Sequence, residues 1–358
     1  MVKVGTSLLT LPQNGLDLAR IGQIVSQLVR LKKRDMEVIL VTSGAIGAGR
    51  GRLGLAKPLR TIPQKQAMAA IGQNHLMSCY ENFFSREGCV VAQVLLTKDD
   101  MNNRQRYLNA SNTLLALLEY KAIPIINEND TVAVDEIKFG DNDTLSALIA
   151  SKIEADLLII LSDIEGLYTT DPREDKDAKL IKEVRRVTPQ MERLSGGPLR
   201  GTGGMYTKLK AAKIAMASGT TMVIADGRVK DIIISIVEGK DIGTRFLPQP
   251  GRMSSRKRWI AFGMTPKGRI VVDKGAQGAL INKKSLLPAG IISVEGEFKL
   301  GDSVSIVSAQ GDEFARGLVY YSTSEIELVR GQKTERIVQI LGYKDYDEVV
   351  HRDNLVIL

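Results

Sequence analysis

The first two thirds of the chain predict an α/β fold, a three-layer αβα sandwich around a mainly parallel sheet, and the remainder predicts a small β-rich barrel-like domain. Three observations carry this expectation. Apolar runs alternate with amphipathic helical stretches from Met1 to about residue 225, the pattern of strands joined by crossover helices. Two of those runs, Ile123–Ile126 and, apart from Asp156, Ala155–Leu161, are apolar throughout, as strands buried on both faces are. Beyond about residue 265 the texture changes to short strands at regular spacing, separated by glycine turns.

In order, Val2 and Val4 open a strand that breaks at Lys3-Val4-Gly5-Thr6-Ser7. Leu16–Arg34 is an amphipathic helix with Leu18, Ile21, Ile24, Val25, Leu28 and Leu31 on one face. Glu37–Val41 is the next strand, and it runs into Thr42-Ser43-Gly44-Ala45-Ile46-Gly47-Ala48-Gly49. Ile62–Glu81 reads as helix, Val90–Leu96 as strand and Asp99–Glu119 as helix. The strand Ile123–Ile126 stops at Asn127, Glu128, Asn129 and Asp130, and a helix starts after Phe139-Gly140-Asp141-Asn142-Asp143. After the strand at Ala155–Leu161 come Ser162 and Asp163, then a helix or irregular excursion over Lys182–Leu194. A glycine-rich helix start, Gly201-Thr202-Gly203-Gly204-Met205-Tyr206-Thr207-Lys208, precedes the strand Thr220–Ala225. The expected domains are residues 1–248 and 265–358, with a linker over 249–264. Strands of the second domain are expected at Arg269–Val272, Ile291–Glu295, Ser303–Val307, Ala315–Tyr320 and Arg336–Gln339.

Polar residues at strand ends and helix starts mark the ligand edge of such a sheet. Capping a helix needs one Asp or Asn, whereas Asn127, Asn129, Asp130, Asp141, Asn142 and Asp143 converge on what should be one mouth. A polar small-molecule or metal site there explains the excess. Glycines 44, 47 and 49 either admit a ligand to the backbone beyond Ser43 or pack a helix closely. Backbone N–H groups at the Gly201–Gly204 helix start, with Lys208 one turn in, suit a transferring phosphate. Lys3 beside Gly5 repeats that logic without the spacing of a P-loop.

The bulk numbers exclude several classes. The 358 residues carry 49 Lys+Arg against 41 Asp+Glu, a net charge of +8 that suits an anionic substrate or nucleic acid. Residues 251–358 hold 16 Lys+Arg and 13 Asp+Glu, so the basic excess is not concentrated there, and Trp259 and Tyr320 stand apart from other aromatics. Nucleic-acid binding is therefore not expected. Two histidines, His75 and His351, and two cysteines, Cys79 and Cys89, argue against a His-rich metal centre, a Ser-His-Asp mechanism and a disulfide framework. With no apolar run of membrane-spanning length, a cytoplasmic protein is expected.

Taken together, Lys3–Ser7, Ser43–Gly49, Ile126–Asp130, Phe139–Ser146, Ser162-Asp163 through Asp171-Pro172-Arg173, and Gly201–Met205 resemble the motifs of the glutamate 5-kinase family. Leu286–Ile291 and Gly342 through Asp353 resemble the PUA domain that many bacterial members append. The resemblance spans nearly the whole chain. It implies the amino acid kinase fold, ATP with Mg²⁺ as cofactors, L-glutamate as phosphoryl acceptor and γ-glutamyl phosphate, the first intermediate of proline synthesis, as product. It implies catalytic roles for Lys3 and Lys208, oriented by Asp143. Ser43, Gly44, Asn127, Asp130 and Asn142 would hold glutamate. Gly5, Ser162, Asp163, Thr202, Gly203, Gly204, Met205, Tyr206, Thr207 and Lys208 would surround the nucleotide, with no metal ligand from the protein. Feedback inhibition by proline, hand-over of the product to glutamyl phosphate reductase and a homodimer or homotetramer are further implications.

Overall fold

The structure is a computed structural model that describes residues 1–11, 15–133, 142–195, 204–248 and 253–358. The chain forms two compact units, Met1–Arg252 and Met253–Leu358.

Apart from a two-stranded hairpin, Thr10–Leu11 with Gly15–Leu16, the described strands of the first unit are β1 (Val2–Val4), β2 (Leu40–Val41), β3 (Val91–Leu96), β4 (Ile123–Glu128), β5 (Leu157–Ser162), β6 (Glu183–Val184), β7 (Thr221–Asp226) and β8 (Thr244–Phe246). They form one sheet in the order β3-β4-β2-β1-β5-β7-β8-β6. Every neighbouring pair is parallel except β7 and β8. The chain builds outward from β1 to β2, β4 and β3, then returns to add β5 and β7 on the other side. Such a reversal opens a crevice at the carboxyl ends of the strands.

The principal helices are α1 (Leu18–Lys32), α2 (Ala45–Arg52), α3 (Ile62–Ser85), α4 (Arg104–Glu119), α5 (Asn142–Lys152) and α6 (Met205–Ser218). Local chemistry sets their ends. Asp17 accepts from the Arg20 N–H, Thr61 and Gln64 cap α3 reciprocally with Pro63 in the first turn, and Asn103 caps α4. α6 stops at Gly219, whose φ of 85° is the left-handed cap that glycine adopts without strain.

Side chains alternate across the sheet with period two. Val2, Val4, Leu40, Ile123, Ile125, Ile159, Leu161 and Val223 point to one face, where α1, α3 and the helix Ile232–Val237 bury them. Lys3, between Val2 and Val4, therefore points to the opposite face, where α5 and α6 pack on each other. α5 is buried along Asn142–Ser151, as a helix enclosed on all sides must be.

The second unit is a five-stranded sheet, β9 (Gly268–Val272), β10 (Ile291–Gly296), β11 (Ser303–Val307), β12 (Glu313–Leu318) and β13 (Leu355–Ile357), in the order β10-β9-β11-β12-β13. Only β9 and β11 run parallel among these pairs. Ile270, Val272, Val304, Ile306, Ala315, Ile326 and Leu355 are among its core residues.

Several expectations change. Arg336–Gln339 is not a strand: Thr334–Arg336 is a 3-10 turn and Ile337–Leu341 an α-helix ended by Gly342 at φ 80°, and the fifth strand is β13. Lys182–Leu194 resolves into β6 and a short helix, Pro189–Leu194, capped by Thr188. The stretch expected as a linker over 249–264 falls partly on residues outside the description. From Ser255 to Gly263 it is helical, with Trp259, Ile260 and Ala261 buried in the second unit. Tyr320, expected to stand apart from other aromatics, is followed directly by Tyr321 and stacks on Tyr346 with ring centroids 3.9 Å apart.

Candidate active site

The buried side chain of Lys3 leaves β1 toward the first turn of α5 and forms an ion pair with Asp143. Lys208, one turn into α6, reaches the other carboxylate oxygen at 3.2 Å. Asp143 is fully buried, and Thr207 donates to the same oxygen as Lys208, at 3.0 Å. Burial pushes the Asp143 carboxyl toward its neutral form, but the charges and hydrogen bonds of Lys3 and Lys208 outweigh it and hold its pKa below the usual carboxylate value. One buried carboxylate thus balances two buried ammonium groups and leaves the cluster with a net positive charge, fitted to an incoming anion.

Asn142, the residue before Asp143, turns into a second cluster. Its Nδ2 donates to the Thr42 carbonyl at 2.7 Å, to Ser43 Oγ at 2.8 Å and to Asn127 Oδ1 at 3.0 Å. Asn127 donates in turn to Gln73 Oε1 at 2.8 Å and accepts from the Glu128 N–H. Gly44 follows Ser43 with φ 95° and begins α2, a backbone that a side chain would strain. Asp130 lies just beyond β4 without an ion-pair partner among the described residues, and burial raises its pKa to about 6.

Around the expected nucleotide position, Ser162 Oγ donates to Asp163 Oδ1 at 3.1 Å at the end of β5. Arg228 donates to the Asp163 carbonyl at 2.7 Å and forks onto Asp226. Gly204 precedes α6 with no side-chain cap, and among the described residues nothing lies within 4 Å of where its Cβ would be. Met205 and Tyr206 are half-buried there. Burial, with Glu192 next in importance, raises the Tyr206 pKa. The Gly5 N–H is taken by the Leu161 carbonyl at 3.1 Å, so this residue offers room beside Lys3 rather than a donor. Thr202, Gly203, Phe139, Gly140 and Asp141 lie outside the described residues.

Lys3, Asp143, Lys208 and Thr207 are therefore brought together, and so are Ser43, Asn127 and Asn142. Gln73 was not foreseen. It lies on the buried stripe of α3 with Ala69, Leu76 and Tyr80, and a polar residue in such a stripe is the signal that marks it. Among the described residues no group of three or more His, Cys, Asp or Glu side chains can hold a metal. No described helix is long and apolar enough to cross a membrane.

Comparison with known proteins agrees with this geometry. The Amino acid kinase family matches residues 1–226, and the PUA domain matches residues 268–341. The glutamate 5-kinase of Thermoanaerobacter sp. (strain X514) is 54% identical over 361 aligned positions, which cover 100% of this chain and 97% of that protein. The glutamate 5-kinase of Caldanaerobacter subterraneus subsp. tengcongensis gives the same identity and coverage. That of Trichlorobacter lovleyi is 51% identical, covering 100% of this chain and 96% of its own.

Proposed function

Because the chain belongs to the amino acid kinase family, and within it to the glutamate 5-kinases that carry a PUA domain, we propose that its two clusters divide one reaction between them. The reaction is ATP-dependent phosphorylation of glutamate in proline biosynthesis. The observation that carries the division is the pair of buried lysines on Asp143, set beside an amide cluster that contains no lysine.

The glutamate side-chain carboxylate is already ionised at neutral pH, so no general base is needed. The difficulty is to bring it against the γ-phosphate, a second anion, in line for transfer. Lys3 and Lys208, fixed by Asp143, supply positive charge where the transferring phosphoryl group passes, at positions set before substrate binds. The start of α6 presents backbone N–H groups to the nucleotide phosphates. Ser162 and Asp163 border the nucleotide from β5. Mg²⁺ carried by ATP would offset phosphate charge, and Lys3 and Lys208 would supply the remaining positive charge at the transferring group.

Asn142, Asn127, Ser43 and Gly44 form the glutamate mouth. Asp130 supplies the negative charge that an α-ammonium group seeks, which accounts for a half-buried carboxylate with no ion-pair cation among the described residues. Proline, which shares an α-carboxylate and an ammonium nitrogen with glutamate, inhibits by occupying this mouth. The acyl phosphate product is labile, which favours direct hand-over to glutamyl phosphate reductase. The enzyme works in the cytoplasm as a homodimer or homotetramer.

Trapping acyl phosphate with hydroxylamine tests the reading with glutamate, aspartate and N-acetylglutamate as acceptors, and ADP release follows turnover of these and of uridylate, each with and without proline. Turnover confined to glutamate and suppressed by proline is expected. Preference for another acceptor overturns the assignment of the mouth, and turnover insensitive to proline removes the inhibitor.

A further inference from the structure

The amide cluster has a polarity that one residue outside it controls. Asn142 Nδ2 faces three acceptors, so its amide cannot turn over without placing its oxygen against them. Asn142 Oδ1 is thereby held on the other side, buried and without a partner among the described residues. Asn127 Oδ1 must then accept, from Asn142 and from the Glu128 N–H, which commits Asn127 Nδ2 to donate. Its acceptor is Gln73 Oε1, and Gln73 Nε2 is left buried and without a partner among the described residues.

All three amides are at least nine-tenths buried, with relative exposures of 9% for Gln73, 2% for Asn127 and 9% for Asn142. Buried amides that point one way along a chain, with an acceptor orphaned near the substrate end, are held for a donor that arrives from outside.

The frame that carries Gln73 is rigid. A Cβ on Gly72, its neighbour in α3, would lie 1.7 Å from the Ala45 carbonyl oxygen of α2. One on Gly49 of α2 would lie 2.0 Å from the Met68 carbonyl oxygen of α3. The two helices thus meet backbone to backbone. α2 begins immediately after Ser43 and Gly44, and α3 carries Gln73, so this one helix pair grips the amide chain at both ends.

We propose that Gln73 is a positioning residue for the acceptor substrate: it fixes Asn127, Asn127 fixes Asn142, and Asn142 Oδ1 is thereby kept turned toward the α-ammonium group of glutamate. The proposal rests on the preceding reading that this mouth takes glutamate. It assigns Gln73 no contact with ATP and no part in the chemical step.

The test is steady-state kinetics of the full chain with Q73M, N127A and the double variant Q73M/N127A, alongside their thermal midpoints. Q73M keeps the size of the side chain and removes the acceptor. It is expected to raise the glutamate KM about tenfold while kcat and the ATP KM stay within about twofold. Because Gln73 acts through Asn127, the double variant is expected to match N127A alone rather than multiply the two effects. Q73E offers Asn127 an acceptor in either protonation state, and it is expected to retain most of the wild-type glutamate KM even if N127A fails to fold.

An unchanged glutamate KM in Q73M overturns the proposal. So does a parallel loss of kcat, both KM values and thermal midpoint, which marks a packing residue. Q73E as impaired as Q73M also overturns it. Failure of the wild-type enzyme to use glutamate would instead overturn the preceding reading, which separates the two.

Discussion

The two clusters at the carboxyl edge of the sheet solve opposite problems. Around Asp143 every charged group already has an ion-pair partner, with Lys3 on one oxygen and Lys208 and Thr207 on the other, and one positive charge stays in excess. Around Asn142 the polar groups are arranged but incomplete: among the described residues, Asn142 Oδ1 and Gln73 Nε2 are buried without partners and half-buried Asp130 has no ion-pair cation. The first cluster is stable without ligand, whereas the second is completed by its substrate. The contrast teaches that the charge for phosphoryl transfer is built into the fold, while discrimination among acceptors is left to groups that only the right molecule satisfies.

The largest effect is expected from D143A, which leaves two lysines buried without a counter-charge. A loss of roughly 3–5 kcal/mol in stability should accompany near-complete loss of turnover. A chemical-denaturation midpoint close to that of the wild type would break the view that the first cluster is pre-paid by its own pairing. Next, K3A and K208A are each expected to lower kcat roughly 10²-fold or more while the protein stays folded. Near-normal kcat in either variant removes that lysine from the transfer.

N142A should sharpen the contrast by acting on the other parameter. Losing the amide is expected to raise the glutamate KM by roughly ten- to a hundredfold, with a smaller change in kcat and in the ATP KM. A shift confined to the ATP KM would move the amide cluster to the nucleotide.

The smallest effects belong to Asp130 and depend on pH. Its pKa is about 6, so protonation on acidification removes the charge offered to the ammonium group. Glutamate kcat/KM is expected to fall as pH drops through about 6, and D130N should be weak at all pH values and lose this inflection. Stability runs the other way. A carboxyl whose folded pKa is raised is tolerated below its unfolded value of 3.8 and destabilises as pH rises through about 6. D130N should therefore be more stable than wild type at neutral pH, by up to about 3 kcal/mol, with the difference vanishing below pH 4. A D130N variant no more stable at pH 7 contradicts a half-buried carboxylate without an ion-pair cation.

Much of this was legible in the sequence because strands of a parallel sheet announce their ends. The apolar run Ile123–Ile126 breaks at Asn127, and Leu157–Leu161 breaks at Ser162, so Asn127 of the amide cluster and Ser162 at the expected nucleotide position stand out as polar stops. What the spacing alone did not provide was pairing. Lys3, Asp143 and Lys208 lie far apart in the chain, and only the resemblance to a family joined them before the fold did. Gln73 was missed because a helix reading attends to its apolar stripe and passes over a polar residue within it. Arg336–Gln339 reads as strand in sequence because the apolar residues Ile337 and Val338 suit either period, and the left-handed Gly342 that ends the helix Ile337–Leu341 looks in sequence like any turn glycine.

The most direct measurement places K208A and N142A side by side in glutamate saturation curves, read by hydroxylamine-trapped acyl phosphate at saturating ATP. The expected result is a split: K208A loses kcat with its glutamate KM within a few-fold of wild type, and N142A loses glutamate affinity with kcat largely kept. Equal losses of kcat in both variants would contradict the division between a charged transfer cluster and an amide acceptor mouth.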